Sequence, residues 1–182
     1  MANVYTPMRH GAVQTAYYDQ MATAAPGMLA NASDSNLVDA ALVGGVGENG
    51  LEAGLAVVLK PVPAVVRSGL NQYAATLPVG ASGDDIGGVA VRNLQMRSNA
   101  SGEPCWFERE ICNVARVGRN GARIWVRLAD GATPVPDDAV FVLTGADNAG
   151  KFTAASGAGA VAVTSMIFRS AAENGLALVE LL

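Results

Sequence analysis

The chain has 182 residues, a net charge of −4 and only 15% charged residues, against roughly 25% in an average soluble protein. That length suits one domain with an appended arm rather than two independent cores. The acidic balance, with a pI of about 4.9, disfavours a surface built to grip nucleic acid. Apolar residues make up 51%, much of it Ala, and mean hydropathy is +0.27, so the chain collapses rather than staying solvated. Such a composition also leaves apolar surface for a partner to cover.

The longest apolar runs, such as residues 55–59, are far shorter than the roughly 20 residues needed to cross a bilayer, so no membrane span is expected. Residues 1–7 (Met-Ala-Asn-Val-Tyr-Thr-Pro) lack a basic segment followed by an apolar one, and assembly in the cytoplasm is the expectation. Cys105 and Cys112 are too few for a disulfide framework and read as small hydrophobes kept as thiols.

Taken in chain order, residues 1–40 are expected to form an N-terminal arm. They hold Tyr5, Tyr17 and Tyr18, three of the four tyrosines, and their apolar residues are dispersed among Thr, Gln, Asn and Ser. Val13, Ala16, Tyr17 and Gln20 would share one helical face, but Gly11 and Gly27 bracket them closely and Pro26 follows, so an extended arm is preferred.

Residues 41–182 are expected to be an all-β domain, an antiparallel barrel or sandwich. Short apolar segments alternate there with turn signals about every ten residues. The stronger strand candidates are residues 55–59, 86–91, 111–117, 122–128, 139–143, 166–169 and 176–181. Weaker ones lie at 64–66, 73–76 and 152–154, and no helix is expected between them.

Asn120-Gly121 has the chemistry of a type I′ turn. It predicts a hairpin with Val117 opposite Ile124, Ala115 opposite Val126 and Asn113 opposite Leu128 on a buried side. The other side would set Arg116 over Trp125 and Val114 across from Arg127, facing solvent or a partner. The last strand, residues 176–182, is apolar on both faces except at Glu180, so it is expected to pair on both sides or be covered by another subunit.

Several motifs imitate chemistry. Residues 45–50 read G-x-G-x-x-G, but Gly54 and Val57-Val58 follow where a phosphate-binding helix would have to start. Residues 145–151 read G-x-x-x-x-G-K, but Phe152 stands where Mg²⁺ needs a hydroxyl, and the sequence after it supplies no amphipathic helix. His10 is the sole histidine and lies in the arm, away from any preformed pocket for a catalytic base.

Two cysteines and one distant histidine do not make a zinc site, and no cofactor or metal is expected. Asp84-Asp85 and Asp137-Asp138 sit beside Gly or Pro at strand starts and read as turn residues. The sequons at Asn31 and Asn99 carry no weight without export. Trp106 and Phe107 supply large aromatic area, either to the core or as an anchor at a subunit contact.

The run Asn93-Leu94-Gln95-Met96-Arg97-Ser98-Asn99, with residues 102–107, 112–114 and 121–126 and the lead-in 84–91, resembles the structural cement (capsid decoration) proteins of tailed bacteriophages. The likeness extends over most of the chain. It implies a non-enzymatic virion protein with an antiparallel β-barrel or jelly-roll-like sandwich as its body, made in the host bacterial cytoplasm, that binds the outer surface of the shell and ties neighbouring major-capsid subunits together.

The partners it implies are the major capsid protein and the protein itself, as a dimer or trimer, without direct contact to nucleic acid or membrane. Tyr5, Tyr17, Tyr18, Trp106 and Phe107 are the candidate capsid or subunit contacts. The alternatives are a tail or fibre component and, less favoured, a small-ligand or nucleotide-binding domain using the glycine loops.

Overall fold

A computed structural model describes residues 24–30, 38–62, 73–93, 96–118 and 121–182. Five strands, β1 (Val38–Val43), β3 (Ala56–Pro61), β4 (Tyr73–Thr76), β5 (Ile86–Val91) and β8 (Ile111–Arg116), close into a barrel ordered β1-β4-β3-β5-β8. Five more, β9 (Arg123–Arg127), β10 (Ala139–Leu143), β11 (Phe152–Thr153), β12 (Ala160–Phe168) and β13 (Leu176–Leu181), form a sheet ordered β11-β10-β12-β13-β9. A small third sheet joins β2 (Leu51–Glu52), β7 (Pro104–Trp106) and β6 (Arg97–Ser98). All the paired strands run antiparallel except β1 and β4. The chain is therefore all-β, as its turn spacing implies, and short 3-10 turns at Gly83–Asp85 and Ala146–Asn148 interrupt it.

The barrel strands are apolar on both faces because both faces are buried. Along β3, Val57 turns into one core with Val43, Ala90, Val114, Leu51 and Trp106. Its neighbours Ala56 and Val58 turn into a second core, shared with the C-terminal sheet. β5 divides in the same way, Ala90 to the first core and Val89 and Val91 to the second. Each fully buried valine contributes about 1.5–3 kcal/mol, so these central strands hold the two halves together as well as the barrel itself. Gly88 lets β5 and β8 approach, since a Cβ there would meet the Ala115 carbonyl oxygen at 2.2 Å.

The C-terminal sheet alternates instead. Ile124 and Val126, Val140 and Val142, and Ala177, Val179 and Leu181 point into the shared core, while the residues between them point out. A bridge between Leu128 and Phe152 curls this sheet toward closure. β13 pairs with both β12 and β9, which satisfies the expectation for the last strand.

The other edge of β9 is covered piece by piece. Ala30 N–H donates to Arg123 O at 2.8 Å, Trp125 N–H to Met28 O at 3.0 Å, Arg127 N–H to Gly54 O at 3.0 Å and Ala129 N–H to Phe152 O at 2.8 Å. An edge capped in this way offers no row of open donors to another chain.

The expected hairpin does not form. β8 pairs with β1 and β5, and Ile124 of β9 lies opposite Val179 of β13 rather than Val117. Gly121 does take a left-handed φ of 92°, while Asn120 lies outside the described residues. The connection is fastened to the end of β13, with Gly118 N–H donating to Leu182 O at 3.1 Å and Gly121 N–H to Leu181 O at 3.0 Å.

β8 belongs to the barrel because Cys112 and Val114 on one face and Ala115 on the other all need cover, which a two-stranded ribbon cannot supply. Val114 is therefore buried and not solvent-facing. Arg116 lies over the ring of Tyr73, 4.6 Å from its centroid, and not over Trp125.

The expected division at residue 40 falls inside β1. Strands 73–76, 86–91, 139–143 and 176–181 match their expected limits. The candidate at 64–66 lies outside the described residues, as do Tyr5, His10, Tyr17, Tyr18 and the sequon at Asn31.

Candidate functional site

The first described segment supplies an anchor. Met28 N–H donates to Ala25 O at 3.1 Å, with Pro26 and Gly27 at the two central positions and Gly27 at φ 72°. This is the chemistry of a type II turn, where proline presets the first φ and only glycine takes the second without strain. Gly27 N–H then donates to Trp125 O and Arg92 N–H donates to Gly27 O, both at 2.7 Å. A Cβ on Gly27 would meet the Ala90 carbonyl oxygen at 2.7 Å. The chain thus threads a tight seam between β5 of the barrel and β9 of the C-terminal sheet.

From that seam an apolar row crosses β9 and β13 on the outward face of the C-terminal sheet. Leu29 bridges Ile124 and packs toward the core, so alternation places Met28 outward, directly beside Trp125. Trp125 is paired in turn with Leu178 of β13. Met28 is 39% exposed, and Trp125 and Leu178 are half-buried. Ile167 and Leu176 belong to the same face. Where a solvated sheet would carry polar residues, this one carries large apolar ones.

Two ion-pair clusters border the row. At one end Glu180 Oε2 accepts from Arg123 Nε at 3.2 Å and from Arg169 Nε at 2.8 Å, and Arg169 also binds Asp137. The hydrogen bond from Arg169 holds the Glu180 carboxyl below the usual carboxylate range, assisted by Arg123 and opposed by desolvation. At the other end Arg127 binds Glu52 at 3.4 Å, Glu103 at close range and the Ala53 carbonyl at 3.0 Å. Asn99 steadies that cluster, donating from Nδ2 to Glu52 at 3.0 Å while its Oδ1 accepts from the Glu103 N–H at 3.0 Å.

Trp106 is 4% exposed and lies in the first core. Phe107 beside it is half-buried, and the Arg97 guanidinium stands 4.3 Å from its ring centroid. Arg97 also pairs with Glu110 at 2.7 Å, and Glu110 accepts the Phe107 N–H at 2.7 Å. Trp125 is the outward tryptophan; its alternation with buried Ile124 and Val126 is the signal that identifies it. Cys105 and Cys112 are both buried free thiols, and burial pushes the Cys112 thiol up to about 12.

The glycine loops lead into strands. Residues 45–50, with Gly45, Gly47 and Gly50 at positive φ, run into β2. Lys151, 3.9 Å from Asp130, is followed by β11. Neither loop opens a helix that could offer a row of N–H groups to phosphate. The acidic pairs act as turn residues: Asp85 accepts from the Ser82 N–H and hydroxyl at 2.9 and 2.7 Å, and Asp138 accepts from the Val135 N–H at 2.9 Å.

A groove of about 680 Å³ at the end of the barrel is lined by Lys60, Pro61, Val79, Asp84 and Arg116 among others. Its Arg116 is engaged with Asp39 at 3.3 Å. Among the described residues no group of three or more His, Cys, Asp or Glu could hold a metal ion, and no helix is long and apolar enough to cross a membrane.

Comparison with known proteins follows the same lines. No curated protein matches the chain. Among solved structures, a chain of the capsid of Myoviridae phage XM1 is similar with a TM-score of 0.66 and 24% identity, over 93% of this chain and 96% of that one, which shows a shared fold. A family model described as "Structural cement protein (E217 gp24/Pam3 gp6)" matches residues 13–182. With nearly the whole chain matched, the protein belongs to the phage structural cement family.

Proposed function

We propose that the protein binds the outer surface of an assembled phage shell and cements neighbouring major-capsid subunits, working as a homo-oligomer, a dimer or trimer, without catalysing a reaction. Clamping of this kind needs an adhesive surface repeated around symmetry axes, where modest contacts add through multivalency. The N-terminal chain is the reaching element, and Tyr5, Tyr17 and Tyr18 are its contacts to the major capsid protein. Phe107, with Arg97 across its ring, is a further contact, whereas Trp106 is used in the core.

The observation that carries this reading is the anchor at Gly27, which hydrogen-bonds to both halves of the body. Tension on the preceding residues is thereby delivered to the whole fold rather than to one strand. Fully extended, residues 1–23 would span at most roughly 80 Å, enough to reach past the footprint of one domain.

The test is co-sedimentation of the protein with shells that lack it, comparing the full chain with a deletion of residues 1–23. Loss of binding with an unchanged, cooperative melt is the expected result. Binding that survives the deletion would remove the arm from the mechanism.

A further inference from the structure

Two glycines from distant parts of the chain meet between the barrel and the C-terminal sheet. Gly27 accepts the Arg92 N–H and donates to Trp125 O, both at 2.7 Å, while Gly54 donates to Ala90 O at 2.8 Å and accepts the Arg127 N–H at 3.0 Å. Each glycine therefore bonds to the β5 side of the barrel and to β9. Both take left-handed φ, 72° and 81°, and neither has room for a side chain. A Cβ on Gly54 would lie 2.9 Å from the Gly27 nitrogen, and one on Gly27 would lie 2.9 Å from the Ala53 Cβ. Whatever shifts Gly27 must shift residues 53 and 54.

Those two residues carry the shift onward. Ala53 N–H donates to Pro104 O at 3.3 Å, and Ala53 O accepts from Arg127 Nε at 3.0 Å. Arg127 in turn holds Glu52 of β2 and Glu103, the residue before β7. β7 ends at Trp106, and Phe107 follows directly. The small sheet and Phe107 are thus mounted on the residues that receive Gly27. Among the described residues, segment 24–30 is held by four backbone hydrogen bonds, to residues 92, 123 and 125, with Leu29 packed against the shared core. A segment held so lightly opens before strands covered on both faces.

We propose that residues 24–30 are a latch: docked in the seam, they fix the small sheet and Phe107 against the C-terminal sheet through Gly54, and released, they free both. Coupling of this kind is reciprocal, so a perturbation at the small sheet must also loosen the latch. Its use in cementing rests on the proposed function: engagement of the N-terminal chain orders the Phe107 contact, and the two shell contacts act together.

The test is residue-resolved hydrogen exchange on the full chain in solution, without shells. Gly27→Ala should accelerate exchange at Ala53, Glu103 and Phe107 by about five-fold or more, beyond any change at Asp137 and Thr144, whose amides bond to Phe168 and Gly159. Arg127→Met should do the converse and accelerate Gly27 and Ala30 over the same controls. If Gly27→Ala melts without cooperativity, Leu29→Ala takes its place.

Acceleration confined to the latch and its direct partners Arg92 and Trp125 would overturn the proposal, as would an equal change at the controls or an effect that runs in one direction only. The result is separable from the cement reading: a coupled protein that ignores shells overturns only the cementing, and an uncoupled protein that still coats shells overturns only the latch.

Discussion

The barrel and the C-terminal sheet solve the same burial problem in different ways. In the barrel, β3, β5 and β8 are covered on both faces, with Val57, Ala90 and Val114 in one core and Val58, Val89 and Ala115 in the other. In the sheet, β9, β10 and β13 bury alternate residues and leave Trp125, Phe141 and Leu178 half-covered on the outside. The first region spends its apolar residues on stability. The second keeps some in reserve, and in a member of the structural cement family that reserve is the more informative part of the molecule.

Mutations should separate the two roles. Phe168, with no exposed surface in the shared core, should cost about 3–5 kcal/mol when changed to Ala, read as the largest loss in a denaturant series. Gly27→Ala combines a φ of 72° with a 2.7 Å approach to the Ala90 carbonyl, and should cost about 1–3 kcal/mol. Its signature is loosened protection of the Trp125 and Arg92 amides in hydrogen exchange, because those groups flank the seam. A Phe141→Ser change on the outward face should cost clearly less than Phe168→Ala; an equal loss would erase the distinction between the two regions.

The thiols give a chemical version of the same contrast. Cys105 and Cys112 are buried, so both should resist a thiol reagent until global unfolding. Burial raises the folded-state pKa of Cys112 to about 12, above its unfolded value. Its stabilising contribution is therefore complete below the ordinary thiol range and is lost as the pH rises through about 12.

The smallest effect belongs to Glu180, whose folded-state pKa is lowered chiefly by Arg169. That contribution is complete above the unfolded carboxylate range and is lost as the pH falls through the depressed value. Glu180→Gln should flatten this acid limb of a stability–pH curve; an unchanged limb would show that the cluster at that end of the row does not couple to folding.

Much of the fold was legible because turn residues punctuate it. Strands 86–91, 139–143 and 176–181 begin directly after Asp85, Asp138 and Gly175, in sequence and in space alike. The partnering of β8 and β9 was not legible from Asn120-Gly121, because a local turn signal says nothing of competing partners far along the chain. β8 is taken by β1 and β5, and β9 by β13 and residues 27–30.

The better clue lay in β8 itself, where apolar residues on both faces require two layers of cover. Strands of two or three residues such as β2, β6 and β7 leave no periodicity to read. The outward side of β9 was legible from its alternation as facing solvent or a partner. The Met28 to Leu178 row was not, since it joins residues 150 apart.

The central claim is adhesion to the outside of a shell, and the copy number in purified particles tests it most directly. Quantitative mass spectrometry of intact virions, referenced to the major capsid protein, should find the chain in hundreds of copies per particle. A handful of copies, as expected of a tail or fibre part, would contradict the account.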